Sequence, residues 1–408
     1  MAPFANPQPV RTDLPIAQKP RKAPATSYRA GERRRLLWGV TIVVSVGVVL
    51  LMLTSGAQGP TVGGGIQAPA SHVRQGPIHG SLPGLLALSA QLHAGYSAKC
   101  GVKTNPQFAA YDPVNHYVYV SSLSNYVAVI NDSITSGACH VKTNIALPAG
   151  AAPEGVAYAP IDGQIYVADN RLNQVYVING TKVVGTITNT TCQLSVFNCA
   201  FTEPYAIAYD PDDGHLVVTN AGADNVTVIG PLSFQGADYS ITTGGSVPDG
   251  VAYSPGGDAM VVTNWGSNDV SWFAAQYSQT NPVGTIPVGT EPVGVAADPF
   301  LAITGYCYVA NYGSNNVTTI APNGVLGFAP SIAVGQGPVS IVFDQANLRM
   351  YVTNHFTHDV SVIGGDPGSV LKTINLPSAT YPFGAVYDEE HADVYVIGLG
   401  TSSVYVVS

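Results

Sequence analysis

Charge is what this chain has least of. Lys and Arg number 16 and Asp and Glu 25 in 408 residues, so charged side chains make up 10% where a typical soluble domain carries ~25%. Tyr, Thr, Ser and Asn take over the polar surface, and the net charge of −9 offers no basic groove for nucleic acid. Cysteine is scarce too, at five, which excludes a disulfide-dense scaffold. No CxxCH, GxxxxGK[ST], GxSxG or HExxH occurs, which leaves no haem attachment, phosphate loop, nucleophile elbow or zinc-protease helix. No 3.6-residue apolar period is sustained, and 30 prolines and 44 glycines punctuate the chain, so a helical solenoid is excluded.

What is present is a repeat. Pro106, Pro153, Pro204, Pro248, Pro292, Pro338 and Pro382 each open one copy, at separations of 47, 51, 44, 44, 46 and 44 residues. Two residues on stand Phe108, Gly155, Ala206, Gly250, Gly294, Ser340 and Gly384, and five residues on Tyr111, Tyr158, Tyr209, Tyr253, Ala297, Phe343 and Tyr387. Each copy holds short β-branched or aromatic runs between Gly, Asn and Ser turns, as in Gly250–Tyr253, Met260–Asn264, Asp269–Phe273 and Val283–Val288. Four strands in a unit of about 45 residues is the signature of a propeller blade. Small residues suit the first strand because the innermost strands crowd around the axis. The sequence thus predicts an all-β, seven-bladed β-propeller. Its last copy stops at a third strand, Val404–Val407, so residues from Gly95 to Thr104 are expected to add the fourth and close the ring. Cys100-Gly-Val-Lys-Thr-Asn105 echoes the outer-strand segment Cys139-His-Val-Lys-Thr-Asn144, although the two lie at different distances from the next proline.

The runs Val218-Thr-Asn220, Val262-Thr-Asn-Trp-Gly-Ser-Asn268, Tyr308-Val-Ala-Asn-Tyr-Gly-Ser-Asn315 and Tyr351-Val-Thr-Asn354 resemble the YVTN-family β-propeller repeat over residues 106–408. Copies one, two and seven depart from it at Ser121-Ser122, Ala168-Asp169 and Ile397-Gly398. The resemblance implies seven blades on an exported or surface-layer-like protein, with no single activity attached.

One apolar run stands apart. Leu36–Leu53 is 18 residues without a charge, enough to cross a bilayer with its flanks. The charge balance is 8 − 2 = +6 before it and 8 − 23 = −15 after it. The positive-inside rule then orients a single-pass protein of the cell membrane: residues 1–35 a basic, disordered cytosolic tail, 36–55 a transmembrane signal anchor, 56–94 a stalk with a short helix at Leu85–His93, and 95–408 an extracellular propeller. A cleaved signal peptide ending at Ser55-Gly56-Ala57 is the alternative. Sequons at Asn131, Asn179, Asn189, Asn225 and Asn316 suit an exported glycoprotein, with Asn225 and Asn316 also read as turn residues. In an oxidising compartment Cys192 and Cys199 are expected to form a local disulfide. Cys100 and Cys139, taken as equivalent positions on neighbouring blades, look too far apart to bridge, and Cys307 reads as a buried thiol.

Candidate chemistry is sparse. Glu154, Glu203, Asp249 and Glu291 each adjoin a blade's proline where loops converge on the channel mouth, an arrangement that would hold a divalent cation, the sole cofactor the sequence suggests. His355, His358 and Asp359 share one loop, where turn roles outweigh metal ligation. Asp112, Asp210, Asp298, Asp344 and Asp388, six residues past the proline, read as turn formers. Arg171, Trp265, Tyr312, His355 and Phe356 are expected on one loop-bearing face, fit for a surface protein or glycan partner. The favoured function is a non-enzymatic cell-surface binding module. The alternative is a metal-assisted hydrolase or lyase at the channel mouth.

Overall fold

In the computed structural model, residues 95–407 are described apart from 133–138, 190–199, 231–236, 275–283, 299–305, 322–330 and 365–367. The anchor run Leu36–Leu53, the tail, the stalk and the Cys192/Cys199 pair lie outside these residues. No helix among the described residues is long and apolar enough to cross a membrane.

Seven four-stranded antiparallel sheets form the blades. The seven repeat prolines are the first residues of the seven innermost strands: Pro106–Asp112, Pro153–Ala159, Pro204–Tyr209, Pro248–Ser254, Pro292–Ala297, Pro338–Asp344 and Pro382–Asp388. Proline suits that position because its missing N–H is not demanded by a ladder there. Immediately after it every inner strand slips register against its second strand, in blade four between Pro248 and Val251.

The slip is held by the threonine of the repeat. In blade four the Gly250 N–H donates to Thr263 Oγ1 at 2.8 Å, and that hydroxyl donates onward to the Val293 carbonyl of blade five at 2.6 Å. Thr219 joins Ala206 to Asp249, and Thr353 joins Ser340 to Phe383, in the same way. The following asparagine closes the hairpin between second and third strands: Asn264 Nδ2 donates to Asp269 Oδ1 and Ser271 Oγ, both at 2.7 Å. Asn220, Asn311 and Asn354 repeat that pattern.

The crowding expected at the axis is a specific contact. A Cβ on Gly250 would stand 2.2 Å from the Val293 carbonyl oxygen, and Gly294 and Gly384 meet the next inner strand equally closely, at 2.4 Å. The apolar core is divided the same way. Seven buried clusters each draw on two adjacent blades, so a blade buries its faces only by stacking.

Ring closure follows the expectation in narrower bounds. Ala98–Gly101 pairs antiparallel with Ser403–Val407, Cys100 opposite Val404, and completes blade seven. The sequence echo between the two cysteine segments is not an equivalence. Cys100 lies within its outer strand, whereas Cys139 precedes the outer strand of blade one, His140–Ala146. That offset corrects the distance expectation, because it brings Cys100 and Cys139 together with Cα atoms 5.0 Å apart, inside the disulfide range of ~4.4–6.8 Å. Cys307 is fully buried, and burial pushes its thiol up to about 12.

Candidate functional site at the proline-loop face

One face of the ring carries the loops entering the inner strands and the turns between second and third strands. Each blade places one left-handed residue in that turn: Asn125, Asn173, Asp224, Asn268, Asn315, His358 and Ser402. Four of these accept a backbone N–H from the residue just before the next blade's proline: Glu203 to Asn173, Val247 to Asp224, Glu291 to Asn268 and Gly337 to Asn315, each at 2.8 Å. His358 does the same through Nδ1, accepting from the Tyr381 N–H at 3.2 Å. Asp359 accepts from Asn354, and His355 Nδ1 lies 3.3 Å from the Pro382 carbonyl. The three loop residues therefore serve turns, not one metal.

The acidic quartet separates into two pairs by its side of the proline. Glu203 and Glu291 precede it, adopt positive φ and stand on the rim. Glu154 and Asp249 follow it and turn inward. Glu154 is 8% exposed, and neither its Oε2 nor Asp249 Oδ1 has a hydrogen-bond partner among the described residues. Burial, then the Asp249 charge, pushes the Glu154 carboxyl up to about 8, and burial pushes Asp249 up to about 7. Between them burial and the two carboxylates hold the Tyr205 phenol well above its usual range. A cavity of about 170 Å³ opens here, lined by Asp249, Tyr205, Phe108 and small inner-strand residues. A wider one of about 530 Å³ at the other end shares Ala109, Val156 and Ile341 with it, so the two follow the axis.

The face residues separate too. Tyr312, His355 and Phe356 meet, with Tyr312 and Phe356 ring centroids 5.6 Å apart and His355 and Phe356 5.0 Å. Gly337, at φ 62°, lets these rings lie over its backbone: a Cβ would stand 2.8 Å from Phe356 and 3.1 Å from Tyr312. Arg171 and Trp265 stand on the turns of blades two and four, both exposed. Sequence reasoning did not single out four further aromatics that extend the group. His355 contacts Tyr381 at 5.2 Å and Phe383 at 6.1 Å, Phe383 contacts Phe108 at 5.3 Å, and Phe108 contacts Tyr205 at 5.7 Å. The result is an aromatic arc from the rim of blade five to the acidic pair in the channel. Tyr381 and Phe383 flank Pro382 and Tyr205 follows Pro204, so the signal was present: no other blade carries an aromatic residue next to its repeat proline. Burial lowers the proton affinity of His355 below that of a free imidazole, in keeping with its place among rings.

Of the sequons, Asn179 is exposed at a strand end. Asn189 is doubly engaged, accepting from the Phe201 N–H and donating to its carbonyl. Asn225 and Asn316 accept from Asn220 and Asn311 in the hairpin closures above, which is the turn role.

No protein-family model matches the chain, and no curated protein matches its sequence. Among solved structures it is similar to virginiamycin B lyase from Staphylococcus aureus, with a TM-score of 0.60 and 13% identity over 76% of this chain and 98% of that one. It is similar to the WD40 propeller domain of Doa1, with a TM-score of 0.61 and 10% identity over 77% and 96%. A chain of the mitotic checkpoint complex aligns at 0.63 and 12% identity, over 76% and 94%. At such identities the likeness is one of fold, the seven-bladed propeller.

Proposed function

We propose that this chain is a membrane-anchored, cell-surface recognition propeller of the YVTN-repeat type, which binds a protein or glycan of the cell envelope on its proline-loop face. The aromatic arc, with Trp265 apart from it on the same face, carries the reading. Phe356 is 51% exposed, Trp265 41% and Tyr381 38%, on turns fixed by the blade-to-blade hydrogen bonds, so the face offers rigid apolar area at little entropic cost. WD40 propellers among the fold neighbours are in keeping with a binding role. The charge asymmetry about Leu36–Leu53 supports the external setting.

The test is capture of envelope components by the full-length chain, compared with a Trp265→Ala, Phe356→Ala double variant. Capture should fall about tenfold or more, as loss of two aromatic anchors implies, while Tm stays within a few degrees because both rings are exposed. Unchanged capture would place binding elsewhere.

A second reading, the metal-assisted hydrolase or lyase, draws on the inward pair Glu154 and Asp249, whose raised proton affinities suit acid–base work. It requires a turnover that Glu154→Gln abolishes.

A further inference from the structure

The opposite face carries a cluster that neither the repeat nor the recognition reading uses. It sits at the seam where blade seven meets blade one. Asp132 follows the third strand of blade one, and its backbone N–H donates to the His116 carbonyl at 3.2 Å. Its side chain is 1% exposed, lying 3.7 Å from His116 Nδ1 and 3.9 Å from His391 Nδ1 through the same Oδ2. Glu390 Oε2 lies 2.5 Å from His116 Nδ1, and Asp388 Oδ2 lies 2.9 Å from His391 Nδ1. The donors form two overlapping triads, His116–Asp132–Glu390 and Asp132–Asp388–His391, each with all atoms within 4.8 Å of one another.

Turn geometry accounts for part of this and not for the rest. Asp388 Oδ1 accepts the Glu390 and His391 N–H groups, as Asp112 and Asp344 do in blades one and six. In those blades Asn115 and Asn347 supply an amide to the second carboxylate oxygen. Blade seven has an imidazole, His391, in that slot. Tyr111 bonds Asp132 Oδ2 at 2.8 Å, yet Asp132 Oδ1 is buried with no hydrogen-bond partner among the described residues. A buried carboxylate oxygen left so is the kind of exception an ion explains.

We propose that Asp132, Asp388 and His391 bind one divalent transition-metal ion of the zinc class across the blade seven–blade one seam, with His116 and Glu390 flanking it. Metal–ligand distances of ~2.0–2.1 Å put tetrahedral donors about 3.3 Å apart. His391 Nδ1 lies 2.9 Å from Asp388 Oδ2 and 3.9 Å from Asp132 Oδ2, either side of that value, and its side chain is 41% exposed and free to adjust. An imidazole among the carboxylates favours zinc over magnesium or calcium, which prefer all-oxygen sites. The ion would join the inner hairpin of blade seven to the end of the third strand of blade one, across the seam where the ring closes.

The experiment titrates the full-length chain in detergent with ZnCl2 against a chromogenic chelator, and with CoCl2 for the visible spectrum of tetrahedral cobalt. The parent should take up one equivalent, show the cobalt bands and melt higher with zinc. A His116→Ala, His391→Ala double variant should bind at least about tenfold more weakly and lose both the bands and the melting shift. Asp132→Asn keeps the side chain's shape and should show the same loss, separating ligation from folding. No uptake by the parent, or equal uptake by both variants, would overturn the site.

Discussion

Thr263 joins two blades through one oxygen, donating to the Val293 carbonyl at 2.6 Å while accepting the Gly250 N–H at 2.8 Å. The repeat threonine is therefore a blade-to-blade clamp placed at the register slip after the proline. Thr263→Val keeps the shape and removes both bonds, leaving a buried donor and acceptor unpaired. Each orphan costs ~1–3 kcal/mol, so the variant should melt several degrees lower, while Thr263→Ser retains most of the stability. A Thr263→Val protein that melts like the parent would show that the clamp is dispensable.

Gly250→Ala should destabilise by ~1–3 kcal/mol, because its Cβ would meet a backbone carbonyl that cannot move aside. The measurement is the denaturant midpoint. Gly163→Ala is the contrast: its turn has open space, so its cost comes from positive φ alone.

Cys100, in the closing strand of blade seven, has its Cα 5.0 Å from that of Cys139 in blade one, and a disulfide there should report in two ways. Peptide mapping under non-reducing conditions should recover the Cys100–Cys139 pair, and reduction should lower Tm. Deleting residues 95–105 should lower it further, since blade seven then loses its outer strand and exposes an unpaired edge. A deletion variant melting like the parent would contradict closure by Ala98–Gly101.

The inward carboxylates set a pH dependence. Both are pushed up in the folded chain, Glu154 to about 8 and Asp249 to about 7, so the native state holds protons that the unfolded chain releases near pH 4. Stability then falls as pH rises from about 4 to about 8 and levels off above. A Glu154→Gln, Asp249→Asn double variant should be flatter across that window in denaturant melts. Stability rising between pH 5 and 8 for the parent, with no slope change in the variant, would contradict the assignment.

The fold was legible because the repeat writes each contact seven times. Proline, the small residue two places on and the Thr-Asn pair each answer to a local geometry that recurs. The acidic quartet was misgrouped for a related reason: adjacency to proline was read without regard to side, although one side is rim and the other channel. The seam cluster was not legible at all. His116 and Glu390 are 274 residues apart, and only ring closure brings them together. The Cys100–Cys139 approach was missed because a sequence echo was taken for positional equivalence.

The central claim, recognition by the proline-loop face, is tested most directly by photo-crosslinking on intact cells. A photoreactive phenylalanine analogue at Phe356 is compared with one at Leu348, which is 57% exposed on an inner-hairpin turn of the same blade. The account predicts a discrete adduct from position 356, lost in the Trp265→Ala background, and none from 348. Adducts from 348 alone, or from neither position, would contradict it.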